Sequence, residues 1–128
     1  MKLGYVIMYV PEVATAVEFY ERAFGLTRRF IHESGDYAEM ETGGTALSFA
    51  AEALGVQNGV EFQPLRPDQR PAGIEIALVT DDVTAAVARA ADAGAVVVKQ
   101  PEKMPWGQTV AYVRDLNGAL VELCTPMG

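Results

Sequence analysis

The sequence predicts an α+β fold in which one β-α-β-β-β unit occurs twice. Three observations carry this reading. Hydrophobic periodicity runs through the same order in each half: a strand-like run, a stretch of helical spacing, then three further strand-like runs. The segment "VATAV" at Val13 is answered by "VTAAV" at Val83, 70 positions later. Gly44 precedes "TALSFA" as Gly118 precedes "ALVELC". A unit of about fifty residues buries too little apolar surface to stand alone. The two are therefore expected to combine within a single domain covering residues 1–128.

Residues 3–10 form a β-branched and aromatic run closed by Pro11 and Glu12. Val13, Ala16, Val17, Tyr20 and Phe24 then recur at helical spacing, and Gly25 supplies the stop. Strand-like runs follow over 26–32, 36–42 and 45–50, the last two joined by a Gly43-Gly44 hairpin signal. In the second half, 73–80 reads as a strand and Asp81-Asp82 as a helix cap. Val83, Ala86, Val87 and Ala90 form the helical stripe, which Gly94 ends. Runs over 95–99, 108–114 and 118–124 complete the unit. Module 1 thus spans 1–51 and module 2 spans 73–128. The glycine- and proline-bearing stretch 52–72 ("QPLRPDQRP" at its end) reads as a connector.

Composition limits the functional classes. The chain has 128 residues, half of them hydrophobic and 21% charged, with a formal charge of −7. An acidic protein without a basic run is a poor partner for nucleic acid or for an anionic membrane surface. Cys124 is the sole cysteine, which fits a reducing cytoplasm. The first residues, "MKLGYVIMYVPEV", hold too short an apolar run for a signal peptide, and no segment reaches membrane-spanning length. The expectation is a soluble cytoplasmic protein.

One residue breaks the pattern. Glu122 lies inside the apolar run 119–124, where a carboxylate is costly unless it is paired, hydrogen-bonded or metal-bound. Alternation places it on the face opposite Val121 and Leu123. Glu75 likewise opposes Ile76 and Leu78, and Tyr5, Ile7 and Tyr9 share a face opposite Val6, Met8 and Val10.

The paired units, with "YVPEVATAVEFYERAFGL" near the start and "PWGQTVAYVRDLNGALVEL" near the end, resemble the vicinal oxygen chelate superfamily. That group includes glyoxalase I, the bleomycin-resistance proteins and the extradiol dioxygenases. The resemblance spans nearly the whole chain. It implies that each module curls a mixed sheet into half a cup, with ligand or metal held by residues of the first and last strands. Carried over by position, these are Tyr5 and Ser48 from module 1, and Glu75 and Glu122 from module 2. The metal-dependent members place histidines among these positions, and here there are none. His32, the only histidine, falls elsewhere and reads as a polar strand residue.

Two carboxylates, a phenol and a hydroxyl make a poor zinc, nickel or iron site, although a hard divalent ion could be held weakly. No cofactor is expected beyond that. Trp106, between Pro105 and Gly107, stands either as a wall of the cup or as a structural plug. Asp115 with Asn117-Gly118 reads as a turn builder, and Cys124 as a small packed residue.

Two functions follow. One is a homodimeric binding module that holds an aromatic or amphipathic small molecule, with Tyr5, Tyr9, Ser48, Trp106 and Tyr112 lining the cup and Glu75 and Glu122 attracting a cation. The other is a lyase, isomerase or dioxygenase-like enzyme in which Glu75 and Glu122 act as acid and base or hold a weak metal. The missing family ligands favour the first.

Overall fold

In the computed structural model, which describes residues 1–128, both halves fold in the order read from the sequence. Strand β1 (Tyr5–Val10), helix α1 (Val13–Phe24) and strands β2 (Thr27–Ile31), β3 (Tyr37–Glu41) and β4 (Ala46–Ala51) form the first. Helix α2 (Glu52–Gln57) follows. The second half holds β5 (Glu75–Val79), α3 (Val83–Asp92), β6 (Val96–Lys103), β7 (Thr109–Arg114) and β8 (Leu120–Cys124). The chain divides into two units, Met1–Pro64 and Leu65–Gly128.

Each unit contains one four-stranded mixed sheet, ordered β1-β4-β3-β2 and β5-β8-β7-β6. The first strand of each pairs in parallel with the last, and the remaining pairs are antiparallel. In unit 1 the register places Met40 opposite Leu47 and Tyr37 opposite Ala50, which centres the turn on Gly43-Gly44. Gly43 has φ 96°, a conformation glycine adopts without penalty.

Helical periodicity decides which faces are covered. On α1, Val13, Ala16, Val17, Tyr20 and Ala23 are buried, and Tyr20 packs on Phe49 of β4 with ring centroids 5.0 Å apart. Burying a side chain of this size contributes about 1.5–3 kcal/mol. Helix α3 does the same in unit 2 with Val83, Val87 and Ala90, over a sheet whose Ala111, Val113, Val121 and Leu123 are buried. As read from the sequence, Asp82 caps α3, its carboxylate accepting from Ala85 N at 3.0 Å. No helix is long and apolar enough to cross a membrane.

Residues 52–72 hold more than a connector. Helix α2 ends in a Schellman closure: Gly59 N donates to Val56 O and Val60 N to Gly55 O, each at 3.0 Å. Gly55 lies under a stacked pair, Tyr9 and Phe62, whose centroids are 4.4 Å apart at an interplanar angle of 8°. Downstream, Arg114 of β7 donates to the carbonyls of Arg66, Pro67, Gln69 and Gly118. The stretch thus contributes structure to both units.

Candidate functional site

With one face of each sheet under its helix, the opposite face carries the polar side chains. In unit 2, β5 lies parallel to β8 with Glu75 beside Leu120 and Ala77 beside Glu122. Glu75 and Glu122 therefore share a face, one diagonal step apart. Ala77 has only a methyl group to place between them, and the two carboxyl groups hydrogen-bond to one another. Such a bond requires one proton. That bond, then burial and the neighbouring charge, push the Glu75 carboxyl up to about 7. Burial is the lesser cause here, since Glu75 is exposed on an edge strand.

Tyr112 of β7 stands directly opposite Glu122 in register. Its phenol is raised, first by burial and then by the charges of Glu122 and Glu75. Cys124 is on the same face two residues beyond Glu122. Burial and a hydrogen bond to Glu122 push its thiol up to about 11, so it stays protonated and is no ready nucleophile. The basic residues of this face have partners of their own. Lys99 Nζ lies 2.8 Å from Glu102, and Arg114 is held by backbone carbonyls.

Trp106 sits at the tip of the β6–β7 hairpin, where Gly107 N donates to Met104 O at 2.9 Å. The indole is 63% exposed, but it is not loose. Its Nε1 donates to Gln108 Oε1 at 2.7 Å, and Gln108 Nε2 donates to Thr125 O at 2.8 Å. The Asp115 turn forms as its residue types suggest: the carboxylate accepts from Asn117 N and Ala119 N at 2.9 and 2.8 Å.

In unit 1, Tyr5, Tyr9 and Ser48 share the face turned away from α1, with Tyr5 beside Ala46 and Tyr9 beside Ala50. Tyr5 is 57% exposed, Tyr9 has one ring face occupied by Phe62, and Ser48 is fully buried. Four residues not singled out in the sequence, Tyr37, Glu39, Arg29 and Glu41, form a cluster with Ser48. Tyr37 donates to Glu39 Oε2 at 2.8 Å and lies 3.1 Å from Ser48 Oγ. Arg29 bridges Glu39 at 3.1 Å and Glu41 at 2.9 Å. The Arg29 guanidinium holds the Glu41 carboxyl below its ordinary value, and burial raises the Tyr37 phenol. The signal for Glu39 was present: the Gly43-Gly44 turn fixes a register that sets Glu39 opposite Ser48.

His32, Ser34 and Asp36 cluster in the exposed turn after β2, with Ser34 Oγ bonded to both His32 Nδ1 and Asp36. The hydroxyl stands in the middle, so the imidazole is not placed as a base between a carboxylate and a nucleophile. No group of three or more His, Cys, Asp and Glu side chains has an arrangement suited to a metal ion. In unit 2 the nearby donors are the Glu75 and Glu122 carboxyl groups, the Tyr112 phenol and the Cys124 thiol. That set lacks the imidazoles that zinc, nickel and iron sites favour.

Two mixed sheets of repeated β-α-β-β-β order, with acids at the first- and last-strand positions of the second, define a class. Residues 2–123 match the family model described as the Glyoxalase/Bleomycin resistance protein/Dioxygenase superfamily, and the chain belongs to that family. Solved structures share the fold at low identity. A glyoxalase-related enzyme from Fulvimarina pelagi superposes with a TM-score of 0.82 at 18% identity, over 98% of this chain and 88% of that one. A glyoxalase/bleomycin resistance protein/dioxygenase family enzyme from Burkholderia phytofirmans gives 0.80 at 18% identity, over 98% of each chain. TioX from Micromonospora sp. gives 0.72 at 22%, also over 98% of each. At these identities the likeness is one of fold alone. Among curated proteins, none matches the sequence.

Proposed function

We propose that this chain is a metal-poor, cytoplasmic, homodimeric binding protein for small aromatic or amphipathic cations. The observation that carries the reading is the Glu75–Glu122 pair. The two carboxyl groups satisfy each other through one proton, and the neighbouring cations Lys99 and Arg114 are engaged elsewhere. A cationic ligand displaces that proton and gains both charges, while Tyr112 offers an aromatic surface beside them. Tyr5 and Tyr9 in unit 1 and Trp106 in unit 2 are proposed as ligand-lining residues, each on its own unit, whereas Ser48 is fully buried and bonded to Tyr37. Sheet faces bearing exposed Tyr5 and Ile7, and Val79 and Val96, support pairing with a second copy.

The test is a titration of Trp106 emission with flat cationic and flat anionic dyes. Cations are expected to change the emission saturably, Glu122→Gln to weaken them, and added salt to weaken them as well. Equal or better binding of anions overturns the reading. Light scattering at micromolar concentration tests the dimer, and elemental analysis after dialysis tests the low metal content.

The same pair supports a second reading. An acid near neutrality beside a carboxylate is a usable proton donor and acceptor, as a glyoxalase-type lyase or isomerase, or a dioxygenase-like enzyme, would need. A catalysed isomerisation that disappears in both Glu75→Gln and Glu122→Gln, with the fold retained, would establish it. The two carboxylates could also hold a divalent ion weakly. Stoichiometric metal lost in Glu122→Gln would favour this reading over the first.

A further inference from the structure

Unit 1 contains a recess of about 510 Å³ that involves none of the sheet residues discussed above as ligand positions. It lies between α2 and the chain that returns from it. Val56, Val60, Phe62 and Pro64 provide an apolar lining, and Glu52 and Glu61 contribute the only charges.

The recess is built rather than incidental. The Schellman closure through Gly59 fixes the angle at which the chain leaves α2, and so the separation of Val56 from Val60. Phe62 is held flat against Tyr9. Gly55 is what lets that stack sit so close, because a Cβ there would stand 2.8 Å from ring atoms of both Tyr9 and Phe62. Meanwhile Val56 and Val60 are 71% and 44% exposed, an unusual placement for two adjacent aliphatic groups beside an aromatic ring. Apolar walls favour a hydrophobic body, and Glu61, with no basic residue among the lining groups, favours positive charge.

We infer that this recess is a second binding site, specific for lipophilic cations, and independent of the Glu75–Glu122 pair. An aromatic or aliphatic body rests against Val56, Val60 and Phe62, and its cationic centre lies toward Glu61. Such a ligand gains from apolar burial and from charge, whereas an anion of the same shape gains only the first and meets repulsion.

Tetraphenylphosphonium and tetraphenylborate are matched in shape and opposite in charge, so they separate the two contributions. In methyl NMR of the full chain, tetraphenylphosphonium is expected to shift Val56 and Val60 saturably, and tetraphenylborate to shift them far less. Glu61→Gln should weaken the cation about three- to fivefold. Val56→Lys, at an exposed position that leaves the core untouched, should abolish binding. Phe62→Ala should also weaken it, with far-UV circular dichroism confirming that the fold persists. Glu122→Gln should leave the affinity at this site unchanged, which distinguishes the inference from the proposal for unit 2. Equal binding of the borate, unshifted Val56 and Val60 methyls, or full retention of binding in Val56→Lys would overturn it. So would shifts at these methyls that track protein concentration alone, which would mean that a second copy covers the recess.

Discussion

On the sheet face of unit 1 turned away from α1, Glu39 and Glu41 lie beside Arg29. On the matching face of unit 2, Glu75 and Glu122 lie beside Tyr112. The topologies are the same, and the register shows what was exchanged. Ser48 of β4 faces Glu39 of β3, whereas Glu122 of β8 faces Tyr112 of β7. Acid and hydroxyl have traded strands. The edge strands differ as well. Both β2 and β6 bulge near their start, but the residue passed over by the register is Arg29 in one and Val98 in the other. Unit 1 therefore has a built-in cation, and its carboxylates are neutralised internally. Unit 2 has none at that place, and its Glu75 carboxyl is raised instead. A repeated fold can thus hold one acidic cluster closed by its own cation and one that is not.

The largest expected effect tests the turns. Gly118 has φ 88°, and a Cβ there would stand 2.6 Å from both Arg114 Nη2 and Arg66 O. Gly118→Val should cost about 3 kcal/mol or more, read as a lowered urea midpoint. Its counterpart Gly44 has nothing within 4 Å of the added Cβ.

Next comes the internal ion pair. Glu39 is 8% exposed and bonded to Arg29 and Tyr37. Glu39→Gln should cost about 1–2 kcal/mol, since it weakens a charged hydrogen bond to a partner that keeps partial access to water. The urea midpoint is again the measurement. A loss no greater than that of Glu122→Gln would mean that the two clusters are energetically alike.

The third prediction concerns the sign of the pH dependence. Glu75 is raised from 4.5 to about 7, so the folded state binds more protons than the unfolded state between those values. The contribution of this group to stability is therefore present at low pH and lost as pH rises from about 4.5 through 7. Glu41 is lowered by Arg29, so its contribution is present above its ordinary value and lost on acidification. Glu122→Gln should flatten the loss between pH 5 and 8 and leave the acid limb unchanged, in urea midpoints measured across pH. Both groups lie near solvent, so the slopes should be shallow. A wild-type midpoint that rises between pH 5 and 8, with no change in Glu122→Gln, would break the comparison. Smallest of all, Gly44→Ala should move the midpoint by less than about 0.5 kcal/mol.

The architecture was legible because periodicity and turn chemistry agree. Val13 to Phe24 and Val83 to Ala90 carry helical stripes, Gly25 and Gly94 end them, and Asp82 and Asp115 make the backbone bonds their residue types favour. Alternation put Glu75 and Glu122 on one type of face, and sheet order then brought them together. Alternation alone does not give register across a bulge, so the reach of Arg29 to Glu39 was not visible. Helix α2 was hidden by its six-residue length and by Gly55 in its interior. The stack of Tyr9 on Phe62 joins residues that no local pattern relates.

The Arg114 clamp has a bearing on the order in which the chain matures. Its guanidinium secures the carbonyls of Arg66, Pro67 and Gln69 from a position more than forty residues downstream. As the polypeptide leaves the ribosome, residues 1–64 have all been made before that anchor exists. The stretch 66–69, at the start of unit 2, gains its bonds to Arg114 only once β7 has been made and Gly118 comes to rest beneath that side chain. The start of unit 2 is thus tied to its later strands through one side chain, and that tie forms among the last events of synthesis.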